Sequence, residues 1–212
     1  MCALCSVLFA SCTSGQSAQN AAAGAEDSLN IKSLRVVVYV QRDFFDPSGA
    51  LYVGGSEVLP EKIAAIAPAY DAIIFTLDWH PGNHCSFAPE GGMWPPHCVA
   101  FTQGAGLPDA FKPILAQNPD RVQFFLKGTE TDKEQYGAFE NLEEGVALNW
   151  LQNCERIDVC GIAGDYCVKE TTANILKIVP SEKVTMLMEC IRSIDDGTAL
   201  EEFIKANNLG RK

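Results

Sequence analysis

Blocks of apolar residues recur along the chain from Leu34 onward, and segments with a helical spacing of apolar side chains lie between them. The first block, LRVVVYV, is rich in β-branched residues, as expected of a strand buried on both faces. Blocks of this kind predict strands over residues 34–40, 72–77, 121–126, 157–162 and 183–188. The intervening segments predict helices over residues 58–69, 143–153, 166–178 and 198–207.

Strands that alternate with helices form parallel sheets, because the chain must cross back along the sheet before each new parallel strand and a helix usually forms that crossover. We therefore predict an α/β fold, a single-domain parallel sheet with helices on both faces, over residues 31–212. In such sheets, ligands bind beyond the carboxyl ends of the strands. A stretch rich in Pro and Gly, residues 78–106, follows the second strand. Loops of that length are usually functional, so chemistry is expected there.

The first 30 residues differ from the rest of the chain. Residues 3–11 are small and apolar, Cys12 follows them, and residues 13–27 form a low-complexity stretch. This order is similar to a bacterial lipoprotein signal, with Cys12 as the lipid-bearing residue and the stretch as a tether. It predicts a protein of the bacterial envelope or periplasm. No Lys or Arg precedes the apolar run, so the alternatives are a disordered leader or a start further upstream.

Net charge, hydropathy and cysteine spacing argue against several classes of protein. The net charge of −11, without any basic run, argues against a nucleic-acid partner. No apolar run reaches the roughly 18 residues that a transmembrane helix needs, so no membrane span is predicted. The nine cysteines are irregularly spaced and indicate neither a zinc ribbon nor a disulfide framework. Because their number is odd, at least one thiol stays free. A homo-oligomer is allowed but not indicated.

All three histidines lie close together, and an aspartate accompanies them. Asp78, His80 and His84 form the pattern Asp-x-His-x-x-x-His, and His97 follows within the same loop. One carboxylate with two or three imidazoles is a common ligand set for Zn²⁺, Fe²⁺ or Mn²⁺. Asp78 and His80 are two residues apart at a strand end, so their side chains can project the same way. The alternative is ordinary structural histidines, which the clustering makes less favourable.

Two further residues could carry chemistry. Cys167 lies at a predicted strand-to-helix turn, where the helix dipole stabilises a thiolate and backbone amides can bind an oxyanion. Lys127 ends the third predicted strand and could lower the pKa of a neighbouring thiol. The simpler interpretations are a buried apolar cysteine and a lysine that extends to solvent.

Taken together, these motifs match one family in order and spacing. The chain resembles the nicotinamidase branch of the isochorismatase-like cysteine hydrolases over roughly residues 34–196. The combination of DWHPxxH with WPPHC is the most specific part of the match. The matching segments are VQRDFF (40–45), LDWHPGNHCSF (77–87), WPPHC (94–98), LKG (126–128), YGAFE (136–140) and GIAGDYCV (161–168).

The resemblance implies an isochorismatase-like hydrolase fold and a cysteine amidohydrolase that converts nicotinamide to nicotinate and ammonia. Cys167 matches the nucleophile and Lys127 the lysine that holds its thiolate. The amides of Ala163 and Cys167 match the oxyanion donors, and a cis peptide is expected between Ile162 and Ala163. Family members supply nicotinate for NAD salvage, a cytoplasmic task, which conflicts with the envelope hypothesis.

The resemblance also implies one divalent metal ion, zinc in the first place, with iron or manganese as alternatives. Asp78, His80 and His97 match the metal ligands, and His84 matches a residue that ligates in some members only. The metal is expected to anchor the pyridine nitrogen of nicotinamide. Three aromatic residues match the walls around the pyridine ring: Phe44, Trp94 and Tyr136.

One position departs from the family pattern. The first strand of the family ends in an acid/base aspartate, and Tyr39 stands in its place, whereas Asp43 matches a second, non-catalytic aspartate. A tyrosine hydroxyl, with a reference pKa of about 10, is a poor base near neutrality. Three hypotheses follow: an impaired amidase in which Tyr39, Lys127 or a metal-bound water transfers the proton, an inactive homologue that binds nicotinamide, and an amidase for another small amide.

Overall fold

The structure is a computed structural model that describes residues 30–212. The proposed leader, residues 1–30, lies outside the described residues except for its last one. Among the described residues, no helix combines the length and apolar character that crossing a bilayer requires.

Every strand pairing in the described sheet is parallel, in the order β3-β2-β1-β4-β5-β6. The central strands are buried on both faces, as the β-branched first block predicted. The edge strand β3 is buried only at its two ends and is half-buried or exposed between them. The strands are β1 (Ser33–Val38), β2 (Ala72–Asp78), β3 (Val122–Lys127), β4 (Arg156–Ile162), β5 (Val184–Arg192) and β6 (Gly210–Arg211).

The helices connect these strands as crossovers. The α-helices are α1 (Arg42–Phe45), α2 (Leu59–Ile66), α3 (Lys112–Gln117), α4 (Val146–Asn153), α5 (Lys169–Ile175) and α6 (Thr198–Ala206). A single π-helical turn, Gly164–Val168, leads directly into α5. The sequence pattern predicted α2, α4, α5 and α6 but missed α1, α3 and the last short strand.

The strand order determines where the site can form. The chain moves outward from β1 through β2 to β3, then returns to the other side of β1 and continues from β4 to β6. With right-handed crossovers, this reversal puts α2 and α3 on one face of the sheet and α4, α5 and α6 on the other. The predicted α/β sheet with helices on both faces is confirmed. The reversal lies between β1 and β4, which is the point where such sheets bind ligands.

Candidate active site

A cavity opens at the carboxyl ends of the strands, around the reversal point. The long loop after β2, the loop after β3 and the turn after β4 all contribute to its wall. The structure therefore brings together residues that are far apart in the sequence. The predicted site residues that line it are Cys167, Lys127, Ala163, Asp78, His80, His97, Phe44, Trp94 and Tyr136.

Cys167 lies in the π-helical turn directly after β4 and is 8% exposed. The peptide bond between Ile162 and Ala163 is cis, as the family resemblance implied. Burial raises the pKa of the Cys167 thiol to about 12, although the Lys127 ammonium and a backbone hydrogen bond from Ala163 lower it. The sulfur is therefore a protonated thiol at neutral pH and needs a proton acceptor before it can attack.

Lys127 ends β3 and is only 3% exposed. Its ammonium lies 2.8 Å from Oδ1 of Asp78 and donates to the backbone carbonyl of Gln135. Burial alone would lower the pKa of Lys127, but the charge of the Asp78 carboxylate outweighs burial and raises that pKa above its usual value. The side chain is an ammonium at neutral pH, so it can stabilise a thiolate but cannot act as the base.

Asp78, His80 and His97 converge on one point of the cavity. Oδ2 of Asp78 lies 3.4 Å from Nε2 of His80 and 3.6 Å from Nε2 of His97. The candidate ligand atoms of the three residues all lie within 4.8 Å of one another. Ligands about 2.0–2.2 Å from a tetrahedral Zn²⁺ are separated by about 3.3–3.6 Å, so the donor set fits such an ion. All three side chains are buried.

Both histidines of this group are oriented by backbone carbonyls. Nδ1 of His80 donates to the carbonyl of Gly128 at 2.9 Å, and Nδ1 of His97 donates to the carbonyl of Pro95 at 2.8 Å. Because each Nδ1 carries the proton, each Nε2 keeps a free lone pair that faces Asp78. These carbonyl contacts are what a metal site requires of its imidazoles, and the sequence alone did not reveal them.

The contact between His80 and the carbonyl of Gly128 explains why a glycine follows Lys127 at the end of β3. Gly128 has a φ of 62°, in the left-handed region that favours glycine. A Cβ at this position would lie 2.3 Å from Cε1 of His80. The glycine therefore lets the backbone approach the imidazole closely enough to hold it.

His84 is beside this group but does not join it. Its Nε2 donates to the carbonyl of Lys133 at 3.1 Å, and its Nδ1 lies 2.7 Å from the hydroxyl of Ser86. Both ring nitrogens are thus occupied by protein atoms, and the imidazole packs 4.2 Å from that of His80. In this arrangement His84 is not part of the Asp78, His80 and His97 group, and its role as a ligand stays a prediction.

Opposing influences act on the pKa of the Asp78 carboxyl. Burial would raise its pKa, but the charge of the Lys127 ammonium beside it outweighs burial and holds that pKa well below its usual range. The group is therefore a carboxylate. One of its oxygens faces the ammonium and the other faces the two imidazoles.

The three predicted aromatic residues form a wall of the cavity. The indole of Trp94 donates to the hydroxyl of Tyr136 at 3.2 Å, and the ring of Phe44 lies 5.5 Å from that of His97. Tyr166, which the sequence reasoning did not single out, packs edge-to-face on Trp94 with centroids 5.3 Å apart. In the sequence, its position directly before Cys167 could have indicated that it lies at the site. The arrangement suits a flat aromatic ring beside the Asp78, His80 and His97 group.

Two residues that follow β1 organise the site without lining it. The side chain of Gln41 accepts from the amide of Asp78 at 2.7 Å and donates to the carbonyl of the same residue at 2.8 Å. Asp43 accepts from the amide of Cys98 at 2.7 Å and from that of Ala50 at 3.1 Å. Gln41 thus fixes the end of β2, and Asp43 fixes the loop that carries His97. These contacts explain why the VQRDFF segment, which contains both residues, belongs to the site.

Tyr39 lies behind the cavity surface instead of on it. The residue is fully buried and has a φ of 47°. Its hydroxyl is 3.4 Å from the carbonyl of Tyr136. Burial first, and then the charge of Asp78, raise the pKa of this hydroxyl well above its usual value. A hydroxyl that faces a backbone carbonyl and whose pKa is raised is a poor proton acceptor near neutrality, so the participation of Tyr39 in proton transfer stays a prediction that this environment does not favour.

Glu134 is a carboxylate that the sequence reasoning missed. It is exposed, lines the cavity and lies in the loop after β3 that also carries Tyr136. Burial is the main cause of the raised pKa of Cys167, and the charge of Glu134 adds to it. The carboxylate is thus within electrostatic reach of the thiol.

Comparisons with known proteins agree with this geometry. The nicotinamidase/pyrazinamidase of Mycobacterium tuberculosis is 36% identical over 183 residues, which cover 81% of this chain and 94% of that protein. The pyrazinamidase of Pyrococcus horikoshii in complex with zinc is 32% identical, with a TM-score of 0.69 over 85% of this chain and 98% of the other. PnC1 from L. infantum in complex with nicotinate is 30% identical, with a TM-score of 0.72 over 85% and 92% of the two chains.

No family model matches the chain. The relatives nevertheless cover nearly the whole described domain at sequence identities that establish common descent. The cysteine turn and the Asp-His-His group lie around one cavity of that shared fold. The chain therefore belongs to the nicotinamidase family of isochorismatase-like cysteine hydrolases.

Proposed function

We propose that the protein is a nicotinamidase that hydrolyses nicotinamide to nicotinate and ammonia. One observation supports this most strongly: the Cys167 thiol, the Lys127 ammonium and the Asp78, His80 and His97 group line the same cavity. Relatives named nicotinamidase and a neighbouring structure in complex with nicotinate support the same substrate class. The product would enter NAD salvage.

A divalent metal ion fits the Asp-His-His group, and we propose zinc. The donor set of one carboxylate and two imidazoles suits Zn²⁺, and the pyrazinamidase of Pyrococcus horikoshii was solved in complex with zinc. When bound, the ion would supply a Lewis acid that the pyridine nitrogen of the substrate can approach. The aromatic wall of Phe44 and Trp94 would then hold the ring flat.

In the proposed reaction, Cys167 attacks the carboxamide carbon. We propose that its thiol proton passes, by way of a water molecule, to the carboxylate of Glu134, which lines the cavity and is not part of the metal group. Lys127 then stabilises the resulting thiolate. The amides of Ala163 and Cys167 stabilise the charge on the carboxamide oxygen. When the C–N bond breaks, Glu134 returns the proton to the nitrogen and ammonia leaves.

The second half of the reaction hydrolyses the thioester. Glu134 accepts a proton from water, the oxygen of which attacks the acyl carbon, and the C–S bond breaks. The released thiolate of Cys167 takes the proton from Glu134 and the starting state is restored. The product leaves as nicotinic acid, which ionises to nicotinate by releasing its carboxyl proton to solvent. Each proton that Glu134 accepts is returned, as a general acid/base group requires.

The first experiment measures ammonia released from nicotinamide by the zinc-loaded protein. We expect turnover in the wild type and none with Cys167→Ala, because that variant lacks the attacking sulfur. Cys190→Ala is a matched control, since Cys190 is a buried thiol on β5 outside the cavity. Turnover that persists with Cys167→Ala would contradict the mechanism. A small panel of aromatic and aliphatic amides, assayed in parallel, would identify another preferred substrate.

The alternative is a homologue that binds nicotinamide without turnover. Tyr39, at the position of the family aspartate, is the observation that favours it. This alternative expects no ammonia from the wild type and measurable ammonia from Tyr39→Asp, together with binding of nicotinamide to the wild type in calorimetry.

A further inference from the structure

The Lys127 ammonium is enclosed by aromatic rings as well as by oxygen atoms. It lies 4.9 Å from the centroid of the Tyr39 ring and 5.6 Å from that of the Tyr136 ring. Asp78 and the carbonyl of Gln135 complete the enclosure. An ammonium within about 6 Å of an aromatic centroid is attracted by the ring, and more strongly where water is excluded. At 3% exposure, this ammonium is largely desolvated.

Tyr39 is held firmly in this position. Its amide donates to the carbonyl of Thr76 at 3.0 Å, and its own carbonyl accepts from the amide of Gln41 at 2.8 Å. Its φ of 47° lies in the left-handed region, which a bulky residue rarely adopts. A surrounding structure that maintains such a conformation at a fully buried residue points to a role for the ring it places.

We propose that Tyr39 is a positioning residue whose aromatic ring holds the Lys127 ammonium at the cavity, in place of a carboxylate at the end of β1. The ring contributes the attraction, and the hydroxyl, 3.4 Å from the carbonyl of Tyr136, only fixes the ring. Tyr39 is fully buried behind the residues that line the cavity, so we expect it not to contact the substrate. This inference rests on the proposed function, because it concerns how Lys127 is placed beside the nucleophile.

The ring and the hydroxyl can be separated by substitution. Tyr39→Phe keeps the ring and removes the hydroxyl, whereas Tyr39→Leu and Tyr39→Met remove the aromatic face and retain an apolar side chain. We expect kcat for ammonia release within about threefold of wild type for Tyr39→Phe. We expect a loss of about tenfold or more for the two aliphatic variants, as for a desolvated cation–π contact. KM should change by less than about threefold in all of them, since the residue does not contact substrate.

Two results would overturn this proposal. If Tyr39→Leu and Tyr39→Met match Tyr39→Phe, the ring does not position the lysine. If Tyr39→Phe loses as much as the aliphatic variants, the hydroxyl itself acts. Two aliphatic side chains of different shape, checked by thermal unfolding, separate loss of the ring from misfolding.

A second measurement does not depend on turnover. The rate at which iodoacetamide alkylates Cys167, measured on its own peptide by mass spectrometry, reports the ammonium beside the sulfur. We expect that rate to fall in the aliphatic variants and to remain in Tyr39→Phe, and equal rates in all three would overturn the inference. Absence of wild-type turnover would contradict the proposed function alone, because the alkylation rates would still decide the role of Tyr39.

Discussion

At the scale of single residues, the side chain at position 39 determines which group neutralises Lys127. With tyrosine there, the only carboxylate within ion-pair distance of the ammonium among the described residues is that of Asp78, at 2.8 Å. Asp78 also belongs to the candidate metal group. A single carboxylate thus serves both the ammonium and the metal position, whereas the family pattern provides a second one at the end of β1.

Restoring that carboxylate should raise activity. For Tyr39→Asp we expect kcat for ammonia release to rise by about 10²-fold, the low end of what an acid/base group contributes. The new carboxylate would face Lys127 and could accept the thiol proton of Cys167. Tyr39→Asn is the control of equal size without the charge. A gain shared by both variants would mean that space rather than charge limits the wild type. No gain with Tyr39→Asp would mean that the missing carboxylate does not limit the rate and would contradict the prediction.

Glu134 gives a second prediction at this scale. Glu134→Gln should lower kcat by about 10²-fold, because the amide cannot accept the proton of the thiol. Glu130→Gln is the matched control, since Glu130 is an exposed residue of the same loop that pairs with Lys133 at 3.7 Å. Equal activity of the two variants in the ammonia assay would remove Glu134 from the mechanism.

The sequence was informative about these residues to different degrees. Asp78 and His80 could be predicted because a two-residue spacing at a strand end places both side chains on one side. Cys167 and Lys127 became convincing only through the family resemblance, and their site roles stay predictions. Other contacts could not be predicted, because they depend on how separate loops meet and no local sequence pattern encodes that. Examples are the hydrogen bonds from the imidazoles to backbone carbonyls and the two hydrogen bonds between Gln41 and the backbone of Asp78.

At the scale of elements, the end of β3 determines the orientation of His80. Gly128→Ala should displace the imidazole, because the added methyl group would lie 2.3 Å from Cε1 of His80 and the φ of 62° disfavours alanine. We expect the zinc content after equilibrium dialysis to fall well below one ion per chain. Gly82→Ala is the control in the histidine loop, because nothing lies within 4 Å of its added Cβ. Full zinc content in Gly128→Ala would contradict the contact.

The major elements were predictable because their patterns are strong. Continuous β-branched runs identified the central strands, and the alternation with helices gave the parallel sheet. Helix α3 was missed because it has six residues with a proline near its start, too few for an apolar period. The two-residue strand β6 carries no pattern at all. The path of residues 78–106 follows from contacts such as that between Asp43 and Cys98, not from local propensity.

At the scale of the whole molecule, the reversal of strand order brings the reacting groups together. The nucleophile follows β4, on one side of β1, and the lysine ends β3, two strands away on the other side. The candidate metal group joins the end of β2 to the loop that carries His97. A metal ion there would connect a long loop to the sheet, so its binding should increase the free energy of unfolding of the entire domain.

Metal binding should therefore raise the melting temperature. An ion at about 1,000 times its Kd stabilises the folded state by about 4 kcal/mol, or about 8–16 °C for a domain of this size. We expect this shift when zinc is added to chelator-treated protein in calorimetry. His97→Ala should lose most of it, because it removes a ligand, whereas His84→Ala should keep it, because both nitrogens of His84 are held by Ser86 and Lys133. Each shift is measured against the metal-free form of the same variant, which cancels the cost of the substitution itself. A His84→Ala variant that no longer responds to zinc would place His84 among the ligands and would mean that its contacts rearrange when the ion binds.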